Sequence, residues 1–247
     1  MSGDADIDLL LLVPARGGSK GLPRKNALAL GEWPLLRWTA EAVRAAAVPG
    51  SLALLSTDDD ELAGIGRAAG LEVPFRRPQD LAHDTAGAWP VAEHALDWLA
   101  RERGLRPRWL MLLQPTSPLR QPGRIAEAAH RLRSGSAAAV LGVKPIHRSP
   151  ETLFHADDRG ILSALAPSRP GVAARRQDTR TLYTPNGALY ALPVEALRQA
   201  RGFFVPQMQA LVMDAIESID IDDQGDLALA AAAVRAGLSW RGAGNGA

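Results

Sequence analysis

The chain has 247 residues, of which 47% are hydrophobic and 22% charged, so it can bury the core of one large α/β domain or of two small ones. Its formal net charge of +1 argues against a nucleic-acid-binding protein that works through bulk electrostatics. The absence of cysteine excludes disulfides and thiolate metal sites.

The sequence lacks signals for export or membrane insertion. No apolar run reaches the roughly 18 residues that a membrane helix needs. The segment from Met1 to Asp6 carries two aspartates and no basic residue, unlike the start of a secretory signal. We therefore expect a soluble, cytoplasmic protein with neither a membrane nor a nucleic acid as partner.

The predicted elements alternate between strand and helix. The first, at 7–14, is a near-continuous apolar run, which is typical of a strand buried on both faces. After it we predict a basic loop at 15–26, a helix at 34–47, a strand at 51–57, helices at 59–69 and 89–103, a strand at 109–113, a helix at 124–132, a strand at 137–143, a strand at 218–223 and a helix at 227–236. This order indicates βαβ units, a mostly parallel sheet, and ligands beyond the carboxyl ends of its strands.

The segment from Pro145 to Tyr183 interrupts the alternation. It is polar, rich in arginine and proline, and without a long periodic stretch. We interpret it as an excursion from a single domain spanning 1–247, and we expect the glycine-rich tail at 241–247 to be flexible.

The basic loop places four cations, Arg16, Lys20, Arg24 and Lys25, within ten residues. Its glycines let the backbone approach an anion, and successive N–H groups can hold phosphate oxygens. Neutralising a triphosphate is a physical reason for this density of cations. The pattern is neither a Walker A loop nor G-x-G-x-x-G, and the alternative is a solvated basic turn.

A pair of carboxylates, Asp220 and Asp222, lies in the predicted strand at 218–223. Residues two apart on a strand share a face, so both would point the same way while Ile219 and Ile221 enter the core. Adjacent carboxylates repel each other unless they share a cation, and Mg²⁺ accompanies nucleoside triphosphates. The alternative is a polar turn. Asp226 is predicted to cap the next helix.

Two further polar segments are candidates for binding a sugar. Gln114 follows the strand at 109–113, and its amide can both donate to and accept from a sugar or a base. Arg175 and Arg176 could hold a carboxylate in a bidentate fork, although a surface salt bridge is the ordinary alternative.

Six segments, taken together and in order, resemble the acylneuraminate cytidylyltransferases, the CMP-sialic acid synthetases. They are ARGGSKGLPRKN at 15–26, STDD at 56–59, RPQDLAHDTA at 77–86, LQPTSPLR at 113–120, NGALY at 186–190 and SIDID at 218–222. The resemblance implies an α/β, Rossmann-like nucleotidyltransferase fold with a mostly parallel sheet flanked by helices. It also implies a dimerisation excursion made of about 145–183 and 200–206, and hence a homodimer.

The same resemblance implies the substrates and the site. The substrates would be CTP and an acidic nonulosonic sugar of the N-acylneuraminate type, whose anomeric hydroxyl receives CMP as pyrophosphate leaves. CTP would contact Arg16, Ser19, Lys20, Lys25, Asn26, Arg77, Asp84 and Thr85. The sugar would contact Gln114, Arg176, Gln177, Tyr190 and the aromatic pair Phe203 and Phe204. Asp220 and Asp222 would bind Mg²⁺ and, with Lys25 and Arg16, form the catalytic set.

Two departures from the family pattern leave the sugar open. Thr184 stands where relatives specific for N-acetylneuraminate often carry arginine, and Glu151 replaces a basic residue. The alternatives are a cytidylyltransferase for an eight-carbon ulosonic acid or a phosphonate, and a nucleotide-binding protein without catalysis. The general base also stays open between a metal-bound water and one of the aspartates.

Overall fold

The structure, a computed structural model, describes residues 7–83, 85–148, 150–166 and 181–241, and at Glu151 it describes the backbone alone. Within these ranges the strands are β1 (Leu9–Pro14), β2 (Ala29–Leu30), β3 (Trp33–Pro34), β4 (Ser51–Ser56), β5 (Trp109–Leu112), β6 (Ala139–Ile146), β7 (Phe154–Ala156), β8 (Leu162–Ala164), β9 (Leu182–Pro193) and β10 (Met208–Val212). The helices are α1 (Leu35–Ala46), α2 (Asp60–Ala68), α3 (Ala88–Glu102), α4 (Pro122–Arg133), α5 (Val194–Ala200) and α6 (Gln224–Arg235).

Six strands form the central sheet, in the order β10-β6-β9-β5-β1-β4. β1 pairs in parallel with β4 and β5, and β10 pairs in parallel with β6. β9 runs antiparallel between β5 and β6. The predicted mostly parallel sheet is therefore confirmed, with one reversed strand at its centre.

The apolar run of β1 explains why helices cover both faces of the sheet. Leu9, Leu11 and Val13 belong to one core cluster, which α1 and α4 help to form. Leu10 and Leu12 belong to a second cluster, which includes the buried face of α3. Each fully buried leucine stabilises the fold by roughly 1.5–3 kcal/mol relative to an exposed one.

A third core cluster lies under three loops at the carboxyl ends of the strands. It includes Leu22 of the basic loop, Leu119 of the turn after β5, and Ile219 and Ile221 of the aspartate segment. Ala230 of α6 also belongs to this cluster. One small apolar core therefore connects three of the segments that carry predicted site residues.

The predicted strand at 218–223 is wrong. Residues 219–221 carry no regular secondary structure, and 222–223 form a bend that leads into α6. Ile219 and Ile221 are nevertheless buried, at 7% and 0% exposed, so the predicted division into apolar and polar positions holds without a sheet. The predicted cap is also wrong. Asp223 caps α6, and Asp226 completes the capping box from the third helical position.

The predicted excursion is more ordered at its ends than the sequence indicated. β6 continues to Ile146 and β9 begins at Leu182, so both ends belong to the central sheet. Between them β7 and β8 form an antiparallel hairpin, and residues 167–180 lie outside the described part of the chain. The tail at 242–247 also lies outside it. Among the described helices none is long and apolar enough to cross a membrane.

Candidate active site

The basic loop, residues 15–26, packs against the carboxyl end of β4. The backbone N–H of Ala15 donates to the Ser56 carbonyl at 3.0 Å, and that of Gly17 donates to Asp58 Oδ1 at 3.0 Å. A Cβ on Gly17 would lie 2.8 Å from Asp59 Oδ2, so the loop can approach α2 this closely only with glycine there. The contacts fix the start of the loop at the sheet edge where the fold favours ligands.

Arg24 turns away from the rest of the loop. Its backbone adopts a φ of +53°, and its guanidinium pairs with Asp59 at 3.1 Å and with Glu61. Hydrogen bonds to these two carboxylates raise the pKa of Arg24. One of the four predicted loop cations is therefore bound to α2.

Lys25 and Asn26 face the inside of the loop. Asn26 is buried, and its Nδ2 donates to the Arg16 carbonyl at 3.1 Å. Lys25 Nζ lies 2.9 Å from Asp222 Oδ1. The Lys25 side chain is 14% exposed, whereas that of Asp222 is 77% exposed. This ion pair brings the basic loop and the aspartate segment together.

Asp220 lies deeper than Asp222. Its Oδ1 is buried and has no hydrogen-bond partner among the described residues. Burial raises the pKa of its carboxyl, and the nearby Asp222 acts in the same direction. The segment is fixed by the Ile221 N–H, which donates to the Thr116 carbonyl at 2.8 Å. A carboxylate oxygen held without a donor is suited to accept a cation.

Gln114 and Asp220 converge on the backbone of Gly187. Gly187 has a φ of +76°, and a Cβ there would lie 2.7 Å from Asp220 Oδ2 and 3.2 Å from Gln114 Oε1. We call the three segments that meet here, 113–120, 186–190 and 218–222, the polar wall. Asn186 joins two of them, because its Nδ2 donates to Ser218 Oγ at 3.0 Å.

An aromatic group borders the polar wall. The ring of half-buried Tyr190 packs edge-on against Phe203 and Phe204, with centroid distances of 5.8 and 6.0 Å. Phe203 is 7% exposed and Phe204 66% exposed, so one ring enters the core and the other leaves it. The two rings divide in this way although neither lies in a strand: Phe203 is in a bend and Phe204 has no regular secondary structure.

The other residues predicted to contact CTP differ in how exposed they are. Arg16 and Ser19 are half-buried, and Lys20 is exposed. Arg77 lies behind the loop at 5% exposed, where its Nε donates to Ser56 Oγ at 3.0 Å and burial lowers its pKa to about 10. Thr85 is exposed and bonds His83.

Some predicted site residues lie outside the described part of the chain, namely Asp84, Arg176 and Gln177.

The sequence interpretation assigned no role to Thr116, Arg120 or Gly187, although all three lie in the polar wall. The glycine itself was the available signal at Gly187, because a glycine inside a strand often marks a close approach of another backbone or a ligand. No sequence pattern indicates that the Arg120 side chain is fully buried.

The residues present fit a magnesium ion. Mg²⁺ is usually held by one or two carboxylates together with substrate phosphates. Asp220 and Asp222 supply two carboxylates, one of them with the unpartnered Oδ1. The described residues contain no cluster of three or more His, Cys, Asp or Glu side chains that could hold a metal ion, so a metal bound here would need further ligands from water or a substrate.

Comparison with known proteins identifies relatives along most of the chain. Residues 10–200 match the cytidylyltransferase family model. The chain is 30% identical over 223 residues to the N-acylneuraminate cytidylyltransferase of Escherichia coli O18:K1:H7, covering 90% of this chain and 51% of that protein. It is 30% identical over 224 residues to the CMP-N,N'-diacetyllegionaminic acid synthase of Legionella pneumophila, covering 90% and 94%. The chain thus spans about half the length of the first relative and nearly all of the second.

Two solved structures have a similar fold. A CMP:2-keto-3-deoxy-manno-octonic acid synthetase complexed with CTP superposes with a TM-score of 0.63 at 16% identity, covering 92% of this chain and 98% of that one. A 4-diphosphocytidyl-2C-methyl-D-erythritol synthase gives a TM-score of 0.63 at 15% identity, covering 92% and 97%. They confirm the predicted Rossmann-like nucleotidyltransferase fold, and at these identities they show the fold alone.

Proposed function

Because the chain belongs to the cytidylyltransferase family, we propose that it transfers CMP from CTP to the anomeric hydroxyl of an acidic nonulosonic sugar and releases pyrophosphate. The observation that carries the proposal is the contact between Lys25 Nζ and Asp222 Oδ1 at 2.9 Å. It joins a loop suited to phosphates to a pair of carboxylates suited to a metal ion, and these carboxylates belong to the polar wall.

In this proposal the nucleotide binds along the basic loop. Lys25 and Arg16 stabilise the charge that develops on the leaving pyrophosphate, which is the transition-state interaction that accelerates phosphoryl and nucleotidyl transfer. Ser19, Lys20, Asn26 and the Asp84–Thr85 segment contribute further CTP contacts. Arg77, bonded to Ser56, holds the loop from behind.

Asp220 and Asp222 would hold Mg²⁺, which when bound neutralises charge on the triphosphate. The anomeric hydroxyl oxygen attacks the α-phosphorus in line with the bond to the bridging oxygen of the β-phosphate. That bond breaks as the new one forms, and the hydroxyl proton is released. Gln114 and Gly187 form the surface that faces the sugar.

The sugar side of the proposal rests on the polar wall and on the relatives. Gln114 and Tyr190 lie where a sugar would bind beside Asp220, and we assign the sugar carboxylate to Arg176 and Gln177. The relatives named for this chemistry act on acylneuraminic, diacetyllegionaminic and pseudaminic acids. Nine-carbon acidic sugars are therefore the substrate class that we propose, and we propose that the reaction takes place in the cytoplasm.

We also propose a homodimer that completes each sugar site. Phe204 is 66% exposed beside Tyr190, and large exposed apolar side chains need cover. The hairpin of β7 and β8 exposes Phe154 and Leu162 as well, at 54% and 63%. A second copy of the chain is the commonest source of such cover. Light scattering that shows a fully active monomer at assay concentration would contradict the dimer.

A pyrophosphate-release assay tests the proposed activity. CTP and Mg²⁺ are offered with N-acetylneuraminate, N,N'-diacetyllegionaminate, pseudaminate and an eight-carbon ulosonic acid. We expect release with at least one nine-carbon acid and with CTP only. Equal turnover with ATP, or with sugar 1-phosphates, contradicts the proposal. CTP binding without pyrophosphate release from any acid would identify a non-catalytic protein.

A further inference from the structure

Arg120 is fully buried, at 0% exposed, and lies where the turn after β5 leads into α4. Among the described residues its guanidinium donates only to neutral oxygens: the carbonyls of Ala188 and Gln114, the latter at 3.4 Å, and Thr39 Oγ1 at 3.1 Å. No carboxylate bonds it within the described part of the chain, and its Nε has no partner there.

General stabilisation of the fold does not account for this arrangement. Burial lowers the pKa of Arg120 to about 9, so the group still carries its charge at neutral pH. A buried charge strongly destabilises a fold unless a good ion pair compensates it. Arg124, four residues on, has such a pair, because Glu217 accepts two bonds of 2.9 Å from it. Arg120 is buried without such an ion pair among the described residues.

The oxygens that Arg120 bonds belong to two segments of the polar wall. One NH₂ group reaches the backbone of Gln114 and of Ala188, which follows Gly187 directly. The other reaches Thr39 and so connects both segments to α1. A planar guanidinium can span several acceptors at fixed angles, whereas a lysine offers donors on a single nitrogen.

We propose that Arg120 is a positioning residue that sets the distance between Gln114 and the Gly187–Ala188 backbone, and thereby the shape of the sugar-binding wall. The sugar-binding part rests on the proposed function. The restraint itself does not, because it concerns the protein without ligands.

The restraint is tested by amide hydrogen exchange on the full chain without substrates. Arg120→Met keeps the length of the side chain and removes the charge and its donors. We expect exchange at 113–118 and 186–190 to rise about tenfold or more, while exchange at 15–26 stays near wild type. Leu99→Ala, at the far end of α3, is the control for a general loss of packing. Unchanged exchange in the polar wall, or an equal rise in the basic loop, overturns the proposal.

The functional consequence is tested by kinetics with whichever nonulosonic acid the wild type uses best. In Arg120→Met the KM for the sugar should rise about tenfold or more and the KM for CTP less than about twofold, since a small misplacement of a binding group is costly. Arg120→Lys should fail to restore the sugar KM. Equal changes in both KM values contradict a positioning role on the sugar side.

A milder pair of variants covers the case in which Arg120→Met does not fold. Thr39→Val removes the hydroxyl that accepts from Arg120, and Thr39→Ser keeps it. We expect Thr39→Val to raise polar-wall exchange and the sugar KM, with Thr39→Ser near wild type. Equal behaviour of the two overturns the inference. If the wild type uses no acidic sugar, the proposed function fails, and the exchange data still decide whether Arg120 holds the wall.

Discussion

The basic loop and the polar wall face the same site, but different forces hold them. The loop is anchored on its outer side by exposed ion pairs of Arg24 with Asp59 and Glu61, which contribute little to stability in water. The wall is held by buried hydrogen bonds, such as those from Asn186 to Ser218 and from Arg120 to Ala188. The loop can therefore adjust to a flexible triphosphate, whereas the wall is shaped before the sugar arrives.

The largest effect is expected where the two regions meet. Asp220→Asn or Asp222→Asn should lower kcat by about a hundredfold or more, because each removes a charge that acts mainly in the transition state. Pyrophosphate release at saturating substrates measures kcat, and circular dichroism checks the fold. Near wild-type rates in both variants would show that these carboxylates do not hold the metal.

Gly187 of the polar wall allows the effect of a close contact to be measured separately from the effect of backbone strain. Gly187→Ala should raise the KM for the sugar about tenfold and also lower kcat, because the new Cβ would lie 2.7 Å from Asp220 Oδ2 and 3.2 Å from Gln114 Oε1 and displace them. Gly135→Ala is the matched control, since Gly135 has a similar φ of +72° and open space around its Cβ position. If both variants lose stability equally and neither changes the sugar KM, the close contact has no role in sugar binding.

On the loop side, Lys25→Ala should raise the KM for CTP about tenfold and leave that for the sugar nearly unchanged, because the loop follows β1 where phosphates bind in such folds. Arg24→Ala, which removes the cation turned toward α2, should have a much smaller effect on CTP. Steady-state kinetics with each substrate varied in turn measures both. A rise in the sugar KM alone would mean that the loop is misassigned.

Stability should distinguish the two regions as well. Asn186→Ala should reduce the free energy of unfolding by about 1–3 kcal/mol, because it leaves buried polar groups without partners. Arg24→Ala should leave the melting temperature nearly unchanged. Urea denaturation and thermal melts measure these effects. Equal losses in the two variants would remove the distinction between a rigid wall and an adjustable loop.

The smallest effect concerns His94 of α3, which lies in neither region and packs edge-on against Phe75 at 4.7 Å. Burial, and then the charges of Arg101 and Arg77, lower its pKa. As pH falls, His94 is therefore protonated in the unfolded chain before it is protonated in the folded protein. The free energy of unfolding then decreases as pH falls through the ordinary histidine pKa of about 6.5. The loss is the difference between the free energies of unfolding measured in urea near pH 7.5 and near pH 5.5. His94→Phe should reduce this difference by less than about 1 kcal/mol. An identical pH profile would exclude His94 as its source.

The sequence predicted what strong local patterns encode. The sheet, and the edge of it at which ligands are expected, could be predicted from the apolar run of β1, the loop after it and the periodicity of the helices. The ordered motifs indicated Lys25, Asp220 and Asp222, which the structure brings together. The strand at 218–223 was wrong because alternation at Ile219 and Ile221 reports only which side chains are buried. A strand also needs a pairing partner, and here the backbone bonds are local ones to Asp214 and Ile216 together with one from Ile221 to Thr116.

The central antiparallel strand could not be predicted from local pattern. β9 contains Pro185 and the Asn186-Gly187 pair, which indicate a turn, and its pairing with β5 and β6 is decided by residues distant in sequence. The same holds for Arg120. Its partners come from α1 and β9, so its burial follows from the assembled fold and not from its own segment.

The third core cluster has a thermodynamic consequence. Leu22, Leu119, Ile219 and Ile221 share one small apolar core, so closing of the basic loop would pack Leu22 against two segments of the polar wall that are already in place. A ligand that closes the loop would then also stabilise these two segments of the wall. Linkage makes this reciprocal: CTP and the sugar should each raise the affinity of the protein for the other, even though they touch different segments.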